Sequence, residues 1–312
     1  MDALIQPLPF EPGSLAGLSA RLLDSHHRNN YAGAVKRLNA IRGQLRALDF
    51  DVAPGFVLNG LKREELIAGN SMALHELYFA SLGGDGQTMS PPMKLALEAS
   101  FGSLERWRAE FVATGRALGG GSGWVLLCFQ PREGTLVNQW CADHTHGGAG
   151  TVPILALDMY EHAYHLDFGA AAATYVDAFM QNIAWSGVYA RYQAAVHAAS
   201  EAYAATVDDV EHALILDVRR AGAFAQSQAM LPGATWRDPV AVHQWAAELP
   251  AASSDSEVIV YCVYGHEVSR AAALQLRAAG VNARFLVGGI EGLQARALPL
   301  VDKKPQAADG PR

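Results

Sequence analysis

The stretch Asp158-Met-Tyr-Glu-His-Ala-Tyr-His-Leu-Asp-Phe168 carries the residues around which this chain is organised. It follows the apolar run Val152-Pro-Ile-Leu-Ala-Leu157, which is typical of a buried strand. Asp158 and His162 are therefore expected at the edge of a sheet, four residues apart. A carboxylate with an imidazole suits iron, manganese or zinc, and such a site needs one or two further histidines.

Spacing alone leaves two interpretations of this pair open. An Asp and a His at positions i and i+4 often form a surface ion pair on a helix. A metal site would need the upstream histidines, which are His26 or His27 and His75. Apolar residues with a 3.6-residue period from 22 to 38 predict one long helix that begins near Ser19. His26 and His27 cannot both face the same way from that helix.

The composition limits the class of protein. The chain has 312 residues, of which 50% are apolar and 18% charged, so two domains with buried cores are expected. The net charge is −7, and no Lys/Arg cluster with interleaved aromatics occurs, which argues against a nucleic-acid partner. The sequence has neither a signal peptide pattern nor an apolar run of about eighteen residues. We therefore expect a cytoplasmic protein without a membrane partner.

The three cysteines, Cys128, Cys141 and Cys262, are too few for a disulfide framework or a zinc site of the CxxC type. Cys128 lies in an apolar run and is expected to be an inert core residue. Cys262 ends a predicted strand and is followed by a loop that enters a helix. Backbone N–H groups and the helix dipole at such a place lower a thiol pKa and hold an anion. The alternative for Cys262 is a buried structural thiol.

The segment from Asp158 to Tyr164 resembles the signature Asp-x-Trp-Glu-His-Ala-x of iron/manganese superoxide dismutases, with Tyr160 in place of Trp. Ser19-Ala20 and Leu38-Asn39 keep the register of the family's first helix if His26 is the ligand, and His27 is the alternative.

In that register two residues depart from the family. Asn30 replaces the family's second histidine and Ala34 replaces its active-site tyrosine. Those two side chains carry the family's outer hydrogen-bond and proton-delivery network. The resemblance therefore implies a turnover below that of an ordinary member.

Further segments extend the resemblance. The segment Ala73-Leu-His-Glu-Leu-Tyr-Phe79, within a predicted helix over 66–79, is similar to the family's Asn-His-x-x-Tyr/Phe-Trp, which makes His75 the second ligand. Ala99-Ser-Phe-Gly-Ser103 matches a turn before a helix. Gly119-Gly-Gly-Ser-Gly-Trp124 resembles the entry to the first strand, with Trp124 as a wall of the metal pocket.

The resemblance implies one iron or manganese ion per chain, held by His26, His75, Asp158 and His162. His144 would donate a hydrogen bond to the metal-bound solvent, although His144 and His146 also form a His-x-His pair that could ligate metal directly. The implied activity is the conversion of superoxide to dioxygen and peroxide by alternate reduction and oxidation of the metal.

The resemblance also implies a homodimer. Glu161 matches the family residue that pairs across a two-fold interface with the ligand histidine, here His162, of the other subunit. His165 occupies the position of a family tyrosine that reaches across the same interface to the position of Asn30.

The second half of the chain has alternating strand and helix patterns. Apolar runs predict strands over 214–218, 257–262 and 283–286, and helical patterns cover 240–248 and 269–279. Asp217-Val-Arg219, Leu231-Pro-Gly-Ala234, the Cys262 loop and Gly288-Gly-Ile-Glu-Gly292 resemble the rhodanese domain over about 207–300.

In that family the cysteine carries a persulfide, so Cys262 is the candidate, with a sulfur donor and acceptor that the sequence does not name. Leu293 replaces the family's usual Trp. The loop residues Tyr264, His266 and Glu267 differ from the Arg-rich loops that favour thiosulfate, and Glu267 is expected to repel an anionic donor.

These observations predict a two-domain fold. A dismutase-like helical hairpin over 1–85 precedes an α/β part with a small antiparallel sheet over 86–200. A rhodanese-like α/β domain with a parallel sheet follows over 207–300, with a polar tail over 301–312. Two other functions stay open: a dismutase-fold dimer scaffold for chemistry at Cys262, and a metal-binding sensor that does not turn over.

Overall fold

The computed structural model describes residues 2–251, 257–296 and 299–303. Contacts between Cα atoms divide the chain into two compact units. The first comprises Met1–Ser90, Leu104–Cys128 and Val137–Arg191, and the second comprises Pro91–Ser103, Phe129–Leu136 and Tyr192–Arg312. Within the described ranges, no helix has both the length and the apolar character that a bilayer span requires.

The part of the chain up to Ser200 contains mostly helices and one small sheet. Its elements are α1 (Ala20–Ser25), α2 (Ala32–Ala47), α3 (Gly55–Ala80), α4 (Pro91–Phe101), α5 (Leu104–Ala117), β1 (Trp124–Gln130), β2 (Thr135–Cys141), β3 (Val152–Asp158), α6 (His165–Phe168), α7 (Ala172–Gln181) and α8 (Trp185–Ser200). The three strands form a sheet in the order β2-β1-β3.

The predicted long first helix is not one continuous α-helix. Ser19 caps α1 by accepting a hydrogen bond from Leu22 N at 3.1 Å. Between α1 and α2 the segment His26–Tyr31 is π-helical, and the N–H of Ala32 donates to the carbonyl of His27 five residues earlier. Hydrophobic periodicity does not report this change of hydrogen-bond register. A π-helical turn widens the backbone and is common at functional sites.

The second helix of the hairpin is longer than its sequence pattern indicates. It begins at Gly55 instead of near residue 66 and continues to Ala80, so α3 presents His75 from its last turns. Strand β3 ends at Asp158, as the apolar run predicts. Beyond the strand, the N–H of Met159 donates to the carbonyl of Gly123 at 2.9 Å. This bond ties the turn after β3 to the residue before β1.

The remaining described chain is an α/β arrangement. Its elements are β4 (Ala204–Ala205), β5 (Leu214–Asp217), α9 (Ala221–Gln226), β6 (Ala229–Met230), β7 (Thr235–Trp236), α10 (Val242–Trp245), β8 (Val258–Tyr261), α11 (Glu267–Ala278), β9 (Ala283–Leu286), α12 (Gly289–Ala295) and β10 (Val301–Asp302). A five-stranded sheet has the order β4-β9-β8-β5-β7, and its paired strands are parallel.

Parallel pairing brings the carboxyl ends of β5 and β8 to one edge of this sheet. Leu216 pairs with Val260 in the register between these strands. Apolar clusters cover both faces, one containing Val260 and the other Ile259. At the edge, Asp217 and Arg219 form a buried ion pair, and the hydroxyl of Tyr261 donates to Asp217 Oδ2 at 2.8 Å. The predicted fold class is confirmed.

Two local expectations differ from the structure. The predicted helix over 240–248 is only the short α10 followed by a 3₁₀ turn, Ala246–Glu248. Val301 and Asp302, at the start of the predicted polar tail, pair antiparallel with β6. The rest of that tail, from residue 304, lies outside the described residues.

Gly123, the residue before β1, lies too close to the backbone of Cys141 to carry a side chain. Its φ is +139°, and an added Cβ would clash with the carbonyl oxygen of Cys141. Gly123→Ala should therefore lower the free energy of unfolding by about 1–3 kcal/mol or more. Urea denaturation of the two proteins measures this loss of stability.

The matched control is Gly121→Ala, where the nearest atom to an added Cβ is Leu118 O at 3.5 Å. That change should leave the unfolding midpoint nearly unchanged. Equal losses in the two variants would contradict the steric account of Gly123.

Candidate metal centre

Four side chains converge on one point in the first unit. They are His26, His75, Asp158 and His162, and their ligand atoms all lie within 4.8 Å of one another. Asp158 Oδ2 lies 3.1 Å from His26 Nε2, 3.6 Å from His75 Nε2 and 3.2 Å from His162 Nε2. Donors bound to one metal ion at about 2.1 Å are separated by about 3.0–3.4 Å. The distances to His26 and His162 fall in this range, and the distance to His75 is slightly longer.

The nitrogens of His26 support the same conclusion. His26 is fully buried, and neither of its ring nitrogens has a hydrogen-bond partner. Nε2 is close to Asp158 Oδ2, yet it is not aligned for a hydrogen bond. An unpaired imidazole in the protein interior is costly, because burial removes its water without replacing it. A metal ion between the two groups would satisfy both.

His75 is held in the tautomer that a ligand requires. Its Nδ1 lies 2.6 Å from the carbonyl of Ser71, one turn earlier in α3, so Nδ1 carries the hydrogen and donates it. The lone pair of Nε2 is then directed at the donor cluster, 3.4 Å from His162 Nε2. Burial lowers the pKa of His75 to about 3 and also lowers the pKa of His26. Both imidazoles are therefore neutral at pH 7.

Asp158 is fixed as a carboxylate with one oxygen free for a metal. Its Oδ1 accepts the N–H of Tyr160 at 2.8 Å, which leaves Oδ2 directed at the three histidines. Burial opposes ionisation, but interactions with His162 and His26 outweigh it and hold the pKa of Asp158 well below its usual range. Asp158 is thus anionic across the physiological range.

His144 lies beside this cluster and is oriented by two hydrogen bonds. Trp124 Nε1 donates to His144 Nδ1 at 3.0 Å, and Asn70 Nδ2 donates to the His144 carbonyl at 2.6 Å. Burial lowers the pKa of His144, so the ring is neutral at pH 7. Because Nδ1 accepts from Trp124, the ring hydrogen must be on Nε2. His144 therefore carries an N–H donor on Nε2. The predicted hydrogen bond to metal-bound solvent requires such a donor.

The other predicted residues lie around the cluster. His27 is not part of it, because its Nε2 lies 2.8 Å from the carbonyl of Gln6. Ala34 is buried and Asn30 is half-buried. His146 is more than half exposed and pairs with Asp143, so the described structure gives no His-x-His ligand pair.

The predicted contacts with a second subunit stay a prediction. Glu161 and His165 are both exposed, and the side chain of His162 is 25% exposed. These residues are thus accessible on the surface of the described chain.

Some residues at the site were not identified from the sequence. Asn70 and Ser71 orient His144 and His75, and a signal was present, since Ser71 precedes His75 by four residues on one helix face. The hydroxyls of Tyr175 and Tyr78 lie 3.2 Å apart in a fully buried pair, and the Tyr78 ring packs on His26 at 5.1 Å. No pattern in the sequence indicated that Tyr175 and Tyr78, which are distant along the chain, would lie in contact.

The second candidate site is the loop after β8. Cys262 is a free, buried thiol, and Ser269 Oγ donates to its Sγ at 3.2 Å. Gly265 has φ +70°, and an added Cβ would approach Leu286 O to 2.6 Å, so the tight loop needs glycine there. By contrast, burial raises the pKa of Cys128 to about 12 and that of Cys141 to about 11, which makes both thiols inert.

The predicted repulsion of an anionic sulfur donor by Glu267 stays a prediction. Glu267 is the first residue of α11 but is only 4% exposed, and Gln193 Nε2 donates to its carboxylate at 3.0 Å. Charged residues are rarely buried unless paired, and the sequence pattern did not indicate the burial of Glu267. The exposed loop residues are instead Tyr264 and His266. Leu293, which replaces the family's Trp, is buried in the core.

Three imidazoles and one carboxylate around one buried point form a candidate mononuclear metal site, and this donor set suits iron or manganese. The chain belongs to the iron/manganese superoxide dismutase family. The model of the C-terminal domain of iron/manganese superoxide dismutases matches residues 89–191, and a rhodanese-like domain model matches residues 199–296. The predicted fusion of the two is confirmed.

Three relatives illustrate the match. An iron superoxide dismutase of Cupriavidus metallidurans is 63% identical over 192 residues, which covers 62% of this chain and 97% of the relative. Manganese superoxide dismutase 1 of Haloferax volcanii is 33% identical over 203 residues, which covers 62% and 97%. An iron superoxide dismutase of Aquifex pyrophilus is 32% identical over 197 residues, which covers 61% and 91%.

The lowered pKa of His75 predicts a pH dependence for the metal-free protein. Below the ordinary pKa of about 6.5 the unfolded chain takes up a proton at His75, but the folded chain does not until the pH approaches about 3. Stability is therefore lost as the pH falls, by about 2 kcal/mol between about pH 6.5 and pH 5. Urea denaturation of chelator-treated protein measures this loss.

His75→Gln serves as the control, because glutamine does not titrate. Its stability should fall by about 2 kcal/mol less over the same pH range. Parallel pH curves for the two metal-free proteins would show that His75 is not the titrating group.

Proposed function

We propose that this chain disproportionates superoxide to dioxygen and hydrogen peroxide at one iron or manganese ion held by His26, His75, Asp158 and His162. The observation that carries this proposal is the convergence of three imidazole nitrogens and one carboxylate oxygen within 4.8 Å. The family relationship supports the proposal. Relatives that align with this chain over most of their own length are named superoxide dismutases of iron or manganese.

Iron or manganese, when bound, supplies the one-electron reduction and oxidation that amino-acid side chains do not provide at this site. The chain's contribution is the donor set. Neutral His26 and His75 add no charge, and Asp158 adds one negative charge. The loaded site therefore stays cationic and attracts a small anion such as superoxide. The relative with 63% identity is named for iron, which makes iron the first metal to test.

His144 would supply a hydrogen-bond donor beside the metal site. Its Nε2–H is the donor that remains once Trp124 occupies Nδ1. In an interior of low dielectric such a donor orients an anion more strongly than it would in water. Ala34 contributes no hydroxyl, so proton delivery through that position is absent. We therefore expect slower turnover than in relatives that carry tyrosine there.

Replacement of Asp158 tests the proposal. The wild-type chain should contain about one iron or manganese ion, and Asp158→Asn should lose metal and dismutation together. The loss should exceed the roughly 10- to 100-fold effect of removing an outer hydrogen-bond partner. Elemental mass spectrometry and a superoxide assay on the same samples measure both.

Asp177→Asn is the matched control, because Asp177 is about half exposed and pairs with Arg116. It should keep metal and activity. Wild-type protein that binds no metal after iron or manganese loading, or that binds it without turnover, would refute the dismutase function.

A second function is supported by the Cys262 loop. We propose that Cys262 accepts a sulfane sulfur from a persulfide: its thiolate attacks the outer sulfur, the donor S–S bond breaks, and the donor leaves as a thiol. The match to a rhodanese-like domain supports this proposal, as do the tight loop and the Ser269 hydrogen bond to the thiol.

The charges around the loop favour a weakly charged donor over thiosulfate. Arg270 is the nearby cation, but its guanidinium bonds Gly265 O at 3.0 Å and Glu201 at 3.0 Å and stacks on Phe285 at 4.0 Å. It is therefore occupied. Burial, with a contribution from Arg270, lowers the pKa of His197, whose ring lies 6.0 Å from that of His266. His197 then adds no positive charge at neutral pH.

Sulfur loading tests this second function. A low-molecular-weight persulfide should load the full chain with cyanide-releasable sulfur at least about tenfold faster than thiosulfate, and Cys262→Ser should abolish the loading. Cys128→Ser, at an inert thiol, should not. Loading that persists in Cys262→Ser, or a preference for thiosulfate, would contradict the assignment.

A further inference from the structure

Three aromatic rings are stacked at the side of the metal centre. The ring of Tyr160 lies 4.7 Å from that of His144 at an interplanar angle of 12°. Its other neighbour is the ligand candidate His162, at 5.3 Å and 14°. Tyr160 thus stands between a residue of the donor set and the residue that presents a hydrogen-bond donor.

The stack completes the set of contacts on His144. Asn70 donates a hydrogen bond to the His144 backbone carbonyl, and Trp124 donates one to the ring nitrogen Nδ1. Each bond fixes one atom of His144. Neither prevents the imidazole from tilting about the bond to Trp124. The Tyr160 ring, packed nearly parallel against the face of the His144 imidazole, does prevent this tilt. Stacked rings resist rotation out of their common orientation.

We propose that Tyr160 is a positioning residue that holds the His144 imidazole in its orientation beside the metal site. The inference rests on the proposed dismutase function and extends it to a residue that acts through His144. Its importance is greater in this chain because Ala34 and Asn30 occupy the positions of two outer groups of the family. His144 is an oriented donor beside the site, so its tilt is expected to affect how an anion is held.

Tyr160 contacts His144 through its ring face, and its hydroxyl also forms a hydrogen bond with the backbone of His144. The tilt of the imidazole depends on the ring contact, so the ring of Tyr160 should matter more than its hydroxyl. Tyr160→Phe keeps the stack, whereas Tyr160→Leu fills space without a flat ring. Tyr160→Met is a second non-aromatic variant in case the leucine variant does not fold. His144→Ala removes the group on which Tyr160 acts.

The test uses the full chain loaded with iron and titrated with azide, a small anion that needs no turnover to bind. Iron content is measured first, and azide affinity is expressed per bound iron. Tyr160→Phe should bind azide within about twofold of the wild type. Tyr160→Leu and His144→Ala should each weaken azide binding about tenfold or more, as loss of an oriented outer partner does.

The double variant Tyr160→Leu/His144→Ala decides whether Tyr160 acts through His144. Its azide affinity should equal that of His144→Ala alone, because two changes in one interaction are not additive. Trp140→Leu is the matched control, since Trp140 also faces a histidine ring, His146 at 6.3 Å, but on the exposed surface. Trp140→Leu should bind azide like the wild type.

Additive losses in the double variant, or a Tyr160→Leu protein with unchanged affinity, would overturn the inference. A shift of the iron reduction potential in Tyr160→Leu that matches the shift in His144→Ala would support it. If the wild type binds iron and azide but does not turn over superoxide, the proposed function fails. The coupling between the two residues is still measured by the azide titrations.

Discussion

The interaction on which the rest of the structure depends is the approach of one buried carboxylate to three imidazoles. Asp158 ends β3 with no exposure to solvent, and its Oδ2 lies 3.1 Å from His26 Nε2. A buried charge with unpaired imidazole nitrogens around it is unfavourable unless a cation completes the set. The positions of the π-helical segment after α1, of α3 and of the turn after β3 bring these donors together. The site is thus a constraint on the fold as well as a place for chemistry.

The residues around the site determine which ring nitrogen of each histidine carries the hydrogen. Ser71 determines which nitrogen of His75 carries the hydrogen, and Trp124 does the same for His144. Tautomers set in this way leave a lone pair directed inward on the ligand and an N–H directed outward on its neighbour. The same logic explains why Tyr160 has a role without bonding a metal.

The family resemblance implied the four donors that the structure brings together, whereas the spacing of Asp158 and His162 alone left an ion pair open. The sequence could not choose between His26 and His27 by periodicity, since the π-helical register that separates them depends on backbone hydrogen bonds. It did not indicate that Glu267 is buried, because burial of a carboxylate depends on Gln193, a partner distant in sequence. Asn70 was missed for the same reason: its partner is the backbone of a remote loop.

Metal-edge X-ray absorption on the iron- or manganese-loaded full chain tests the central claim most directly. The account predicts nitrogen and oxygen neighbours at about 2.0–2.2 Å, with the outer scattering pattern of about three imidazole rings. That pattern should weaken by one ring in His75→Gln. Sulfur neighbours at about 2.3 Å, or an oxygen shell without imidazole scattering, would contradict the account and place the metal elsewhere.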